Sequence, residues 1–230
     1  MNYIIWKGIN SNSINGLMIC DLPPITKPQM RYKETEVDGV DGSLVEQLGY
    51  SSYTKEIEIG LYGNYDIDEI IDYFSGSGQL IMSNEEDKYY NASILAQVDY
   101  KRLIRFRTAK VKYLVQPYKY NANETALSVD VSGTSATIVN SGNVIAKPII
   151  ALKGSGTIEF KKDDITIFEY TFDDDGQVTI DSEKQDAYNG IVLKNRNMNG
   201  DFLELKQGEN VISWTGTLTE FKVCNYSRWL

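Results

Sequence analysis

Histidine is absent from this 230-residue chain, so any chemistry must come from carboxylates, lysines, arginines or thiols. That absence excludes Ser-His-Asp and Cys-His nucleophile machinery, His-ligated zinc and haem, and a histidine pH switch. Cys20 and Cys224 stand near opposite ends of the sequence, so no C-x-x-C metal or redox pair exists. They read as two reduced thiols, with a disulfide joining the two ends of the chain as the alternative. Asp173-Asp174-Asp175-Gly176 has the flavour of a calcium loop. Aligned on the EF-hand pattern with Gly176 at the glycine position, the first and last ligand positions fall on Thr171 and Ser182. Both diagnostic carboxylates are missing, so the segment reads as a solvated hairpin turn. Gly154-Ser155-Gly156 begins a G-x-G-x-x-G, but the third glycine position holds Glu159 and no helix follows. It too reads as a hairpin turn. The 32 acidic residues leave a carboxylate-dependent hydrolase as a minor reading, yet nothing marks one pair above the rest. No catalytic, cofactor-binding or metal-binding residue is assigned, and no cofactor is expected.

The one cationic feature is the cluster Lys101, Arg102, Arg105, Arg107, Lys110 and Lys112, with Phe106 and Tyr113 interleaved. Three readings stand: a nucleic-acid contact, a solvated strand face, and a basic edge on an acidic protein that mates with another copy of itself. Overall, 23 basic against 32 acidic residues give −9. General nucleic-acid binding therefore fits poorly, because phosphate neutralisation needs a cationic surface. Trp214 and the many tyrosines offer either a sugar-stacking face or an ordinary sandwich core.

These residues need elements to position them, and the pattern is mainly β with minor α. Residues 3–9 and 16–20 read as short strands around an Asn/Ser turn. Residues 21–43, with Pro23, Pro24, Pro28 and two Asp-Gly turns, read as a long excursion with little pattern, either mobile or held by a partner. Residues 53–62 alternate, with Ile57, Ile59 and Leu61 on one face and Glu56 and Glu58 on the other. One helix is predicted over 67–75: Ile67, Ile70, Ile71 and Phe74 form a stripe, Asp66 caps it and Gly76 ends it. Residues 88–100 and 102–116 read as a hairpin whose alternation slips at Thr108-Ala109, either at a bulge or because the two ends of the strand face different neighbours. From 126 onward, short strands are expected at 126–131, 135–140, 147–153, 157–161, 164–171, 177–181, 189–194, 202–205, 210–214 and 218–224. That spacing indicates an antiparallel β-sandwich. The boundary falls after the polar stretch from Pro117, giving domains 1–120 and 121–230. Thirteen basic and 16 acidic residues leave the first at −3, and 10 against 16 leave the second at −6. The N-terminus lacks a basic n-region and a long apolar run, and no stretch is long and apolar enough for a membrane helix. The sequons at Asn91, Asn123 and Asn225 then read as chance matches, and synthesis in a bacterial cytoplasm is expected.

Taken in order, the segments resemble a known family. An aromatic strand leads to Gly8-Ile9-Asn10-Ser11 and Gly16. The proline-rich excursion and Val37-Asp38-Gly39-Val40-Asp41-Gly42-Ser43 follow, then the alternating strand and the capped helix. Gln116-Pro117-Tyr118-Lys119-Tyr120 closes the hairpin; Asn140-Ser141-Gly142-Asn143, Ala146-Lys147-Pro148, Gly154-Ser155-Gly156 and LKQGEN at 205–210 complete the set. This resembles the distal tail protein (Dit) family of long-tailed phages infecting Gram-positive bacteria. The resemblance covers nearly the whole chain. It implies an N-terminal β-rich domain with one helix and an extended belt-like loop, and a C-terminal galectin-like sandwich. It further implies a structural, non-enzymatic virion protein, a hexameric ring at the tail tip. That ring joins the tail tube protein to a tail-associated lysin or tail fibre protein and the receptor-binding protein, and DNA passes through its lumen without specific binding. Arg105, Arg107, Asp38, Gly39, Asp41 and Gly42 are the candidate residues for the contact between copies. The rival reading is a carbohydrate-binding module that uses its sandwich on host wall sugars.

Overall fold

The architecture was read from a computed structural model, which describes residues 1–39, 41–95, 98–174, 176–224 and 227–230. Val40 of the Asp-Gly run, Asp175 of the acidic turn and Asn225 of the third sequon lie outside the described residues. Strand makes up 57% and helix 9%, which places the chain in the mainly-β class with antiparallel sheets. It divides into two compact units, Met1–Ala122 with Leu230, and Asn123–Trp229.

In the first unit, β1 (Ile4–Trp6) and β2 (Ile9–Asn10) reverse at Lys7-Gly8, both left-handed at φ 51° and 82°. Two left-handed residues match the twist of a two-residue hairpin. β3 (Leu17–Asp21) follows, then β4 (Met30–Glu36), β5 (Ser43–Tyr50) and β6 (Tyr53–Leu61). Helix α1 (Ile67–Tyr73) precedes β7 (Ser77–Met82) and β8 (Glu85–Ser93), and helix α2 (Tyr100–Phe106) leads into β9 (Thr108–Asn121). The main sheet runs β2-β1-β7-β8-β9-β6-β3. β1 and β9 are three places apart, roughly 14 Å if the sheet were flat. Yet the Trp6 and Tyr113 rings meet edge-on at 5.1 Å, so the sheet curls round its core. The alternation of β6 holds: Ile57, Ile59 and Leu61 are buried. Asp66 caps α1 as expected, its carboxylate accepting the N–H groups of Asp68 and Glu69. The stripe differs by one residue. Ile71 is exposed, and Tyr73 is buried in its place, with its hydroxyl satisfied by donating to the Ile9 carbonyl at 3.1 Å.

Two sequence expectations fail here. The segment 100–106 is a second helix, not the start of a strand. Asp99 caps it by accepting the Arg102 N–H at 2.8 Å, and Leu103 is its buried anchor. The apparent slip at Thr108-Ala109 is the junction where a helical period gives way to a period of two. Nor is 21–43 patternless. Residues 30–50 form a hairpin of their own, β4 with β5, paired from Met30–Tyr50 to Glu36–Ser43.

The second unit contains β10 (Leu127–Val129), β11 (Ser135–Asn140), β12 (Ile149–Lys162), β13 (Ile165–Thr171) and β14 (Gln177–Asp181). Then come β15 (Asp186–Asn189), β16 (Val192–Leu193), β17 (Met198–Gly200) and β18 (Gly208–Cys224). Four of the expected strands are really two. β12 joins the expected 147–153, from Ile149 on, to 157–161, and β18 joins 210–214 to 218–224. The long strands pair with each other in two stretches, Ile149–Lys153 with Glu220–Cys224 and Glu159–Lys162 with Ile212–Thr215, separated by register shifts. The first stretch carries β14 and β10; the second carries β13 and β11. The two halves pack face to face: Phe160 meets Phe221 edge-on at 5.2 Å and stacks on Phe168 at 5.0 Å.

Gly154-Ser155-Gly156 is therefore a bend inside a strand, not a hairpin turn. A Cβ on Gly154 would stand 2.3 Å from the Thr217 carbonyl, so only glycine lets the two strands cross there. The acidic turn is likewise no hairpin, because β13 and β14 pair with opposite ends of β12 rather than with each other. The predicted strand 189–194 breaks at Gly190 (φ 59°), and of 202–205 only Leu205 forms a bridge, with Ala146.

The bend predicts two unequal glycine substitutions. Gly216 sits at φ 88° with the Thr157 carbonyl 2.6 Å from any added Cβ, whereas Gly208 sits at φ 85° in open space. Gly208→Ala should cost about 1 kcal/mol for backbone strain alone. Gly216→Ala should cost about 3 kcal/mol or more, since strain and clash combine. Urea unfolding of the two variants measures the difference.

Candidate assembly surface

β4 and β5 project as a two-stranded arm whose faces are both open to solvent. Its side chains are not those of a solvated loop: Tyr32, Val37, Leu44, Val45 and Leu48 are all exposed, Leu44 by 66%. A lone two-stranded hairpin is marginal in water, and scattered apolar residues on both faces give it no core. Asp38, Gly39, Asp41 and Gly42 sit at its tip, with Gly39 and Gly42 left-handed at φ 82° and 86°. Within the arm, the Arg31 guanidinium donates to the Leu48 carbonyl at 3.1 Å and the Ser43 hydroxyl bonds the Glu34 carboxylate.

The base of the arm is fixed as firmly as the arm is bare. Its proline-rich lead, 22–29, has no strand partner, so its carbonyls need other donors. Asn84 Nδ2 donates to Pro23 O at 3.0 Å and Lys55 Nζ to Pro24 O at 3.1 Å. Tyr53 Oη reaches Thr26 O at 3.4 Å, and the Ser51 N–H donates to Gln29 O at 2.9 Å. Lys55 is 2% exposed, on the inward face of β6 beside Ile57 and Ile59. Its ammonium lies 5.0 Å from the centre of the Tyr90 ring and 5.6 Å from that of Tyr53. Nearby, Glu85 pairs one carboxylate oxygen with Lys119 Nζ at 2.7 Å and accepts the Tyr90 hydroxyl on the other. Burial pulls the Lys55 pKa from 10.5 down to about 8, with Glu85 opposing and Lys119 adding to the shift. Burial, and after it Glu85, pushes Tyr53 up to about 12.

The basic cluster separates into two parts. Lys110 and Lys112 lie on the outer face of β9 and are both engaged by Glu56, at 3.7 Å for Lys112. Lys110 first, and Lys112 after it, hold the Glu56 carboxyl below its usual range, against an opposing desolvation. Lys101, Arg102 and Arg105 are on α2, with Arg107 as its left-handed cap at φ 62°. Arg105 lies 5.3 Å from the Phe106 ring centre and Arg107 5.0 Å from that of Tyr65. Ile104 and Phe106 are exposed beside them. The six candidate residues thus occupy two places, the arm tip and the end of α2. Trp214 is 3% exposed and stacks on Phe160, which makes it core rather than a sugar platform. Among the described residues no group of three or more Cys, Asp or Glu side chains is placed to hold a metal ion, and both cysteines are unpaired. Sequence reasoning missed Lys55 and the apolar arm. Lys55 shares the parity of Ile57 and Ile59, a signal that was there to use. In β4 the run Arg31-Tyr32-Lys33-Glu34-Thr35-Glu36 is polar on both faces and shows no alternation.

The chain has the fold of phage baseplate hub proteins. It matches the crystal structure of SPP1 Dit, described as a paradigm of the hub adsorption apparatus in phages infecting Gram-positive bacteria, over 100% of both chains with a TM-score of 0.73 at 13% identity. It also matches a chain of the phage p2 baseplate in its activated conformation with strontium, over 96% of both, with a TM-score of 0.54 at 10% identity. No family model and no curated protein matches the sequence.

The buried ammonium predicts a pH signature. Below pH 8 Lys55 is protonated in both folded and unfolded chains, so it adds no slope. Between 8 and 10.5 the unfolded chain binds a proton the folded one has released, so stability rises with pH. Relative to Lys55→Met, the wild type should gain about 2–3 kcal/mol across that window. Paired urea titrations at pH 7, 8, 9 and 10 read the difference, and the raised tyrosines, common to both proteins, cancel.

Proposed function

We propose that this protein is a distal tail protein of the Dit family, a structural hub at the tip of a long-tailed phage infecting Gram-positive bacteria. Six copies close a ring between the tail tube protein on one side and a tail-associated lysin or fibre protein and the receptor-binding protein on the other. The role is architectural rather than catalytic, and its place is the virion tail tip after synthesis in the host cytoplasm. The single observation that carries this reading is the match to SPP1 Dit over 100% of both chains. The bare arm supports it independently. A hairpin with apolar residues on both faces and a fixed base suits a contact that a neighbouring copy completes. In a ring that contact is heterologous, one patch meeting a different one next door. The exposed end of α2, with Arg105, Arg107, Ile104 and Phe106, is the second patch, and its cations suit an acidic neighbour. A net charge of −9 also suits a conduit through which DNA slides unbound.

Size-exclusion chromatography with light scattering tests the ring. Six chains of 26.0 kDa give about 156 kDa. A strictly monomeric protein at high concentration, alone and with its tail partners, would contradict the proposal. The patches are tested separately. Leu44→Asp with Leu48→Asp on the arm, and Arg105→Glu with Arg107→Glu at α2, should each abolish the ring. Because these side chains are exposed, thermal unfolding of each variant should stay within about 0.5 kcal/mol of the dissociated wild type.

A further inference from the structure

An Asn-Gly pair carries a reaction that needs no catalytic group. The backbone nitrogen of the glycine can attack the side-chain carbonyl carbon of the asparagine, and glycine puts no side chain in the way and turns freely. The chain has three such pairs, Asn15-Gly16, Asn189-Gly190 and Asn199-Gly200. All three glycines have positive φ, at 73°, 59° and 116°, so backbone conformation does not separate them. Their surroundings do. Gly16 is buried, and its carbonyl accepts the Tyr62 N–H at 2.9 Å. A Cβ on it would stand 2.4 Å from the Asn64 carbonyl oxygen. Gly200 belongs to β17 and pairs with Phe168, and a Cβ there would stand 2.4 Å from the Ile167 carbonyl oxygen. At Gly190 a Cβ would meet nothing within 4 Å.

The element that carries Gly190 is also one that opens easily. β15 and β16 share two residue pairs, Tyr188 with Leu193 and Asn189 with Val192, and β16 is the end strand of its sheet. Ile191 at the turn is fully exposed, and both residues of β16 are exposed, so no buried side chain of that strand holds the tip down. Turning the peptide between 189 and 190 therefore disturbs little, and such local openings need only a fraction of the global unfolding free energy. At Gly16 and Gly200 the same rotation drives backbone against backbone. We propose that Asn189 is a site of spontaneous modification by water, converting to aspartate and isoaspartate in the folded protein, while Asn15 and Asn199 are protected. In the first step the Gly190 nitrogen bonds to Asn189 Cγ, the side-chain amide nitrogen leaves as ammonia with the Gly190 proton, and a cyclic imide forms. Water then opens the imide at one carbonyl to give aspartate, or at the other to give isoaspartate. Both products add a negative charge. Isoaspartate also routes the chain through Cβ, one carbon longer, which moves Val192 out of register with residue 189. The site lies within one unit and does not depend on the ring proposal.

Full-length protein aged at mildly alkaline pH and then digested with trypsin tests it. Cleavage after Lys184 and Lys194 isolates Asn189 in one peptide, while the peptides ending at Arg31 and Lys206 carry Asn15 and Asn199. Mass spectrometry reads the exchange of amide for acid, and fragmentation assigns it to a residue. In the folded protein Asn189 should convert about tenfold or more faster than either of the others. In guanidinium chloride, where only the local sequence acts, the three rates should converge. A smaller lead for Asn189 in the folded protein overturns the proposal. So does a lead that persists undiminished in guanidinium chloride, since the fold would then have no part in the selection.

Discussion

Much of the first unit's architecture turns on one buried ammonium. Lys55 sits among Ile57, Ile59 and Tyr90, where a charge is costly, and its hydrogen bond goes to the carbonyl of Pro24. Lysine reaches where a shorter donor on β6 could not, and its stem still packs as an apolar side chain. The proline run it holds cannot join a ladder, because proline has no N–H to give. Without side-chain donors at Pro23, Pro24 and Thr26, the chain between β3 and β4 would be free to swing, and the arm beyond it with it. Glu85 tempers the charge from nearby while being itself satisfied by Lys119 and Tyr90. The arrangement is more specific than stabilising: a methionine would pack as well at less cost, but it would not bind the carbonyl.

The second unit solves a different problem with glycine. Two strands long enough to serve both layers must cross at a bend, and a side chain at the crossing would meet the neighbouring backbone. Gly154 and Gly216 remove it from both strands, on either side of the register shifts. The gain is continuity: β12 and β18 belong to both halves, so the Phe160, Phe168, Trp214 and Phe221 cluster bridges the layers through strands that are covalently common to them.

What could be read from the sequence followed the range of the interactions responsible. The capped helix α1 and the alternation of β6 are local patterns, and both stand. The ends of β11 and β14 were placed to the residue. The errors came where a local signal has two structural meanings. Gly154-Ser155-Gly156 is as good a turn as it is a bend, and only the partner strand decides. Arg102 and Arg105 at a spacing of three fit a helix, but their neighbours Arg107, Lys110 and Lys112 continue the charge into β9 and disguise the junction. The candidate residues at the arm tip were found through their Asp-Gly turns. The exposed apolar side chains of the arm, Leu44, Val45 and Leu48, were not, since they lie between the proline-rich excursion and the alternating strand and carry no regular period of their own.

In the proposed ring, a fixed base and an incomplete tip belong to one mechanism. Closure of a ring needs each copy to present its contact at a set angle, since small errors accumulate round the circle and leave an open spiral. The hydrogen bonds at residues 23, 24, 26 and 29 set where the arm leaves its own subunit. The arm beyond them has no core, so its ordering is completed by the surface it meets. Such an arm resists binding in solution, where both strands must be ordered by one weak contact, and binds well when the last gap in a ring supplies contacts on both of its faces. Rigidity at the root supplies direction, and marginal stability at the tip makes assembly cooperative. A longer or better-packed arm would add stability to the isolated subunit and reduce the advantage of closure.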